Sequence, residues 1–275
     1  MTRLINNTKT ALLLGLLFGV FLLIGFRFGG PAGLTMALVL GGMMNLVAYF
    51  FSDKMALASM RAQEVDEETA PDLVTMVGRL AGNAGLPMPR VYICPHQAPN
   101  AFATGRNPKH AAVAVTEGAL KLLTYEELEG VMAHELAHVK NRDTLISCVA
   151  AMIAGAISYL GFMVMIFGGR DNFLAGLALA ILAPVAAGLI QMAISRSREY
   201  VADADGAAIA GTPYGLISAL QKLDATARGI PLHDGRQDSK NHMFIVQPFT
   251  GESFAKLFST HPSTEDRVGK LQGLA

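Results

Sequence analysis

The stretch VMAHELAHVKNRD, residues 131–143, decides how the chain is read. It holds His134, Glu135 and His138 in an H-E-x-x-H pattern. On a helix, positions i and i+4 share one face, so both imidazoles can reach one metal ion. Glu135 projects beside that point, where a carboxylate can take a proton from water. The helix itself is signalled upstream. Thr124 and Glu127 fit a capping box, and Leu128, Val131, Met132 and Leu136 carry apolar helical spacing. Two surface histidines on an ordinary helix would read the same way, so the pattern needs partners elsewhere in the chain.

Composition points to a membrane. Of 275 residues, 52% are hydrophobic and only 16% charged, and the mean hydropathy is +0.38. Soluble domains are typically about 25% charged. The net charge is zero, which gives no argument for nucleic acid. Two cysteines, Cys94 and Cys148, support neither a disulfide framework nor a cysteine metal site.

Four apolar runs carry the hydropathy. Ala11 to Phe26 follows Arg3 and Lys9 and ends at Arg27. A signal peptide starts similarly, but no small-x-small cleavage site follows and a second run begins at once. That run, Ala32 to Phe51, has spanning length. Gly29-Gly30-Pro31 between them reads as the turn of a helical hairpin. Leu145 to Gly168 and Phe173 to Ile194 form a second pair, separated only by Gly169, Arg170, Asp171 and Asn172. Two buried soluble helices would look alike, but runs this long read as spans. Arg3, Lys9, Lys54, Arg61, Lys140, Arg142, Arg196 and Arg198 fall on one side of these spans, and Arg27 and Arg170 on the other. The positive-inside rule then places both termini and the motif in the cytosol.

Between the first hairpin and the motif lies a polar segment with Leu73, Val74, Val77 and Leu80 at helical spacing. Strands follow at Val91 to Cys94, at 99–106 and at Ala111 to Val115, with Thr116 able to cap the next helix. A small sheet therefore precedes the motif helix. In zinc proteases of this layout an edge strand pairs with the substrate backbone, which makes Asn100, Ala101 and Phe102 the candidates. A plain structural hairpin is the alternative.

Downstream, SRSREYVADADGA (195–207) sets Glu199 and Asp203 four apart on one helix face. Suppose 125–168 and 173–205 are two antiparallel, nearly continuous helices. The pairs His138/Glu199 and His134/Asp203 are then both centred between residues 168 and 169, at the turn. Glu199 becomes the third ligand of one zinc ion, and Asp203 accepts the free ring N–H of His134. About 30 residues of helix span ~45 Å against a hydrocarbon core of ~30 Å, so the metal is expected ~10–15 Å above the membrane, just past the headgroups. Asp143 lies near the height of Arg196, which reads as a structural ion pair.

HELAH at 134–138, REYVADADGA at 198–207, NAFATG at 100–105 and THPSTEDR at 260–267 together resemble the HtpX family of bacterial membrane metalloproteases, relatives of the Ste24 prenyl-protein proteases. The resemblance covers essentially the whole chain. It implies an integral inner-membrane zinc endopeptidase, cutting misfolded or damaged membrane proteins at the cytosolic face. It implies His134, His138 and Glu199 as ligands and Glu135 as the base. The family's HP-turn histidine matches His261, either an active-site helper that hydrogen-bonds the tetrahedral intermediate or a structural turn.

The expected fold is an α-helical membrane protein with a small α+β zincin-type cytosolic domain. It has four transmembrane helices, and the catalytic helix is continuous with the third. The expected domains are a transmembrane hairpin (1–51), a first protease part (52–144), a second transmembrane hairpin (145–194) and a second protease part (195–275). The partners are unfolded membrane-protein substrates and the lipid bilayer, with no nucleic acid. Three rivals remain: a processing protease for a defined substrate such as a prenylated peptide, a zinc-binding scaffold without catalysis, and a transporter. The intact Glu135 argues against the second, and spans holding only Asn45 and Gln191 as amides argue against the third.

Overall fold

The computed structural model describes residues 2–143, 177, 178, 185, 196–229 and 262–274, with side chains for only part of 2–52 and none for 227–229. The chain divides into two compact units, Met1–Phe51 with Ile146–Ser197, and Ser52–Leu145 with Arg198–Ala275.

In the first unit, helix α1 (Thr2–Ser59) continues to its end in the second and leaves helical geometry only at Gly30, with φ 56° and ψ −146°. That left-handed φ suits glycine, and Pro31 restarts the helix at its first position, where a missing N–H costs nothing. The chain doubles back so tightly that a Cβ on Gly33 would strike the Gly25 carbonyl oxygen. The Gly29-Gly30-Pro31 turn is therefore present. Among the described residues no helix is long and apolar enough to cross a membrane. The runs 145–168 and 173–194 lie outside the described residues apart from Leu177, Ala178 and Val185.

The second unit is built on a four-stranded mixed sheet in the order β1-β2-β4-β3. Its strands are β1 (Gln63–Val65), β2 (Arg90–Cys94), β3 (Ala101–Thr104) and β4 (Ala112–Thr116). Only β2 and β4 run parallel. Side chains alternate between the two faces. Val91, Ala101, Val113 and Val115 join the main core with the helices. Tyr92, Cys94, Phe102, Ala112 and Ala114 pack on Leu57 and Met60, from the end of α1 and the turn after it.

Helix α2 (Pro71–Ala84) starts on a proline, buries Leu73, Val74, Met76, Val77 and Leu80 on one stripe, and stops at left-handed Gly85. Helix α3 (Glu117–Leu122) is capped by the Thr116 side chain. Helix α4 (Tyr125–Asn141) carries the motif, and its capping box is formed as the sequence suggests. Helices α5 (196–210), α6 (Tyr214–Gly229) and α7 (Thr264–Gln272) complete the unit. Gly130 on α4 and Gly215 on α6 let their backbones meet, since a Cβ on either would strike the opposite main chain.

One expectation is overturned here. The catalytic helix is not continuous with the run at 145. It ends at Asn141, and Arg142 adopts left-handed geometry (φ 56°, ψ 34°) with its N–H turned back to the His138 and Val139 carbonyls. The reason lies in the next residue. Successive helical residues rotate by about 100°, so positions five apart point ~140° away from each other. Asp143 could not face His138 along an unbroken helix. The break at Arg142 re-aims it.

Candidate metal centre

Helix α4 buries His134 and Glu135 in the second unit and leaves His138 half-buried, and α5 brings Glu199 and Asp203 opposite them. The close approach is allowed by Gly206, where a Cβ would lie 2.9 Å from the His134 Cα. The two Nε2 atoms of His134 and His138 stand 3.1 Å apart. Glu199 offers Oε1 at 3.5 Å from His138 Nε2 and Oε2 at 3.6 Å from His134 Nε2. One ligand atom from each of the three residues falls within a 4.8 Å cluster.

The other ring nitrogens explain why these atoms converge. His134 Nδ1 lies 3.0 Å from Asp203 Oδ1, and His138 Nδ1 lies 2.9 Å from Asp143 Oδ2. With each Nδ1–H given to a carboxylate, each Nε2 presents a lone pair to the same point. Two lone pairs 3.1 Å apart repel unless a cation lies between them. Burial alone would push the His138 imidazole down. The Asp143 hydrogen bond, with the charges of Glu199, Asp143 and Glu135, outweighs burial and pushes it up to about 9. The site thus favours a positive charge there.

Buried charge says the same. Glu135, Asp143, Glu199 and Asp203 are all buried, and so are Arg198 and Arg267. Among the described residues of the centre, with both imidazoles neutral as metal ligation requires, four carboxylates against two guanidinium groups leave two negative charges. Unbalanced buried charge is expensive, and a divalent cation would cancel it. Two ligands about 2.0–2.1 Å from a tetrahedral centre lie ~3.3 Å apart, close to the separations here. The residues fit a metal ion.

Several residues of the centre escaped the sequence reading. Arg267 on α7 is 1% exposed. Its Nε and Nη2 donate to Asp203 Oδ2 and Oδ1 at 2.9 and 2.6 Å, and Nη1 reaches Glu199 Oε2 at 3.5 Å. Burial would raise the Asp203 carboxyl, but the Arg267 charge and the His134 hydrogen bond hold it at about 2. Asp143 pairs not with Arg196, as its expected height suggested, but with Arg198, through Arg198 Nη1 and Asp143 Oδ1. The left-handed turn at Arg142 shifts Asp143 off the helical register that the height estimate assumed.

The edge strand can be placed by its register. Thr116 N–H donates to the Asn100 carbonyl at 2.9 Å. Antiparallel ladders alternate, so Phe102 pairs with Ala114 and Thr104 with Ala112 by hydrogen bonds, while Ala101 and Ala103 turn their N–H and C=O groups outward. Of the three expected docking residues, Asn100 and Phe102 thus spend their backbone groups on β4, and only Ala101 faces the edge. All three are buried. Ala103 N–H donates to Glu135 Oε2 at 2.8 Å. His261 lies outside the described residues.

Residues 67–275 match the family described as Peptidase family M48. The chain is 52% identical over 277 residues to a "Protease HtpX homolog" of Paraburkholderia phytofirmans, covering 98% of this chain and 97% of that protein. The same figures hold for one of Burkholderia mallei. Among solved structures, Ste24p of S. mikatae is similar with a TM-score of 0.59 at 18% identity, over 98% of this chain and 66% of that one, a likeness of fold. The spacing of His134, His138 and Glu199 and the match over three quarters of the chain lead to one assignment: the chain belongs to Peptidase family M48 and is a metalloprotease.

Proposed function

We propose that this protein is a membrane-bound zinc endopeptidase that cuts unfolded or damaged membrane proteins at the cytosolic face of the bacterial inner membrane. Residues 1–51 and 145–194 form its membrane part, and 52–144 and 195–275 its peptidase part. The observation that carries the reading is Glu135 beside two imidazole nitrogens and a carboxylate that converge on one point. Two His and one Glu with a fourth position open is a known catalytic zinc shell.

His134, His138 and Glu199 would hold the ion, with Asp203 and Asp143 fixing the two rings. The chemistry a bound zinc supplies is Lewis acidity toward water and a peptide carbonyl. Glu135 takes the proton of the attacking water and returns it to the leaving amine. Ala101, on the outward side of β3, offers main-chain groups to an extended substrate. Asn100 and Phe102 hold that strand to the sheet. Recognition through backbone favours little sequence preference, as damaged proteins require. His261 is the further donor proposed for the developing oxyanion.

The membrane reading is supported by four apolar runs and by the surface of α1, where Leu12 and Leu23 are each 68% exposed. Such apolar surface suits lipid better than water. The cytosolic orientation is supported by the basic residues clustered on one side of the runs.

The test compares wild type with Glu135→Gln on an unfolded protein in detergent after zinc reloading, with metal content measured on the same samples. Cleavage by wild type alone, with zinc in both, is the expected result. Full cleavage by the variant overturns the mechanism. A metal-free wild type that cleaves as well as the loaded one overturns the zinc dependence.

A further inference from the structure

The Ala103 N–H belongs to the strand, yet it serves the catalytic helix. In the β3–β4 register it points away from β4 and takes no part in the ladder. It reaches the Glu135 Oε2 at 2.8 Å instead. Among the described residues this is the one hydrogen bond of the Glu135 carboxylate. Glu135 follows His134 on α4, which packs along β3. The carboxylate is therefore held from the strand side, not by its own helix.

A glutamate has three side-chain torsions, and a buried one with a single anchor takes its orientation from that anchor. A carboxylate fixed at Oε2 has Oε1 left for a water proton. We infer that the Ala103 main-chain N–H is the positioning group of the Glu135 base, and that it ties the base to the strand where substrate docks. The inference rests on the reading of Glu135 as base. It gives Ala103 a task distinct from that of Ala101. The Ala101 N–H shares the outward side of β3 but lies one repeat away, and among the described residues it makes no hydrogen bond to Glu135. Substrate drawn onto the strand shifts or steadies Ala103, so docking and base alignment are linked through one peptide group.

The backbone gives a clean way to remove the bond. Proline lacks the N–H and is tolerated on edge strands where that N–H faces outward. Ala103→Pro therefore deletes the Glu135 anchor and leaves the ladder to β4 bonded. kcat and KM would be measured separately on an unfolded test protein with the full-length, zinc-loaded protein in detergent, together with zinc content and melting temperature. The expected result is a kcat lower by about tenfold to a hundredfold, the scale of a misplaced catalytic group, with zinc retained. Ala103→Ser keeps the N–H and should sit well above the proline variant in kcat. Ala101→Pro, on the docking strand, should act through KM. A zinc-loaded Ala103→Pro with wild-type kcat overturns the inference, and so does an effect on KM alone. Should Ala103→Pro fail to fold, replacing residue 103 with lactate, an ester in place of the amide, removes the same N–H without the ring and is judged by the same outcomes. Glu135→Gln runs alongside. If it cleaves fully, the base reading falls. If it is inactive while Ala103→Pro is not impaired, only the positioning role falls.

Discussion

Arg267 grips both oxygens of Asp203, with Nε at 2.9 Å and Nη2 at 2.6 Å, and Asp203 in turn stands 3.0 Å from His134 Nδ1. A residue on the last described helix thus sets the ring of a candidate ligand on the motif helix. Arg267→Met should weaken zinc binding about 10- to 100-fold, the usual cost of losing such support. Arg267→Lys should do nearly as much, because a point charge cannot replace a two-pronged grip. Combined with Asp203→Asn the losses should fall short of additive, since both act through one contact. Competition with a chromogenic chelator measures all three.

Asp143 does for His138 what Asp203 does for His134. Asp143→Ala frees the His138 ring and takes a carboxylate away from Arg198. Zinc affinity is expected to fall at least tenfold. Asp143→Asn, which keeps an acceptor oxygen but loses the charge, should fall between. The same chelator titration ranks the series.

Gly206 allows α5 to touch α4. Alanine there places a methyl 2.9 Å from the His134 Cα and 3.0 Å from its nitrogen, both main chain. Gly206→Ala should cost about 1–3 kcal/mol of stability through overpacking. It should also lower zinc affinity by moving Glu199 away. Thermal melting and metal content on one sample show both.

Chelation should lower the melting temperature as well as stop cleavage. A ligand present at a hundred times its Kd adds about 2.7 kcal/mol to the folded state. Without the ion the buried carboxylates of the centre outnumber its guanidinium groups, which makes the apo form the weaker one. Zinc returned to the stripped protein should restore the melting point and the activity together. A melting curve indifferent to zinc would argue against a buried site.

Glu127 provides an acid-sensitive contact away from the metal. It is buried at the start of α4, where Lys222 Nζ, Ser218 Oγ and the Thr124 N–H meet it at 2.5, 2.7 and 2.8 Å. Burial raises its carboxyl, but Lys222, Thr124 and Ser218 together bring it below the usual 4.5. A lowered folded value means the stabilisation is present above pH 4.5 and lost as pH falls through the folded value. Glu127→Gln should cost about 1–3 kcal/mol at neutral pH and flatten the acid side of the stability curve. Denaturant titrations from pH 7 down to 3 would show it.

Much of the site was legible because helical spacing is local information. His134 and His138 share a face by arithmetic, the capping box announces the start of α4, and Glu199 and Asp203 repeat the same period. The break at Arg142 was not legible. Arginine is no helix breaker, and the turn exists because Asp143 must meet His138 and Arg198, a tertiary demand. Arg267 lies within THPSTEDR, yet its role was not legible, since nothing local says that a surface-type helix will bury its guanidinium against Asp203. Strand β1 was missed because QEV is too short and too polar to signal a strand. It forms by pairing with β2. The edge strand was found, but its alternation, which separates Ala101 and Ala103 from Asn100 and Phe102, depends on the register with β4.

The centre draws on segments made far apart in time. His134, Glu135, His138 and Asp143 leave the ribosome first, Arg198, Glu199 and Asp203 after the second pair of apolar runs, and Arg267 last. Until that final arginine arrives, four carboxylates face a single guanidinium, and burying them is at its most costly. A newly made chain therefore carries its cutting centre unassembled until Arg267 is in place. A protease whose centre closes only once α7 is in place is in this way kept harmless while it is being born.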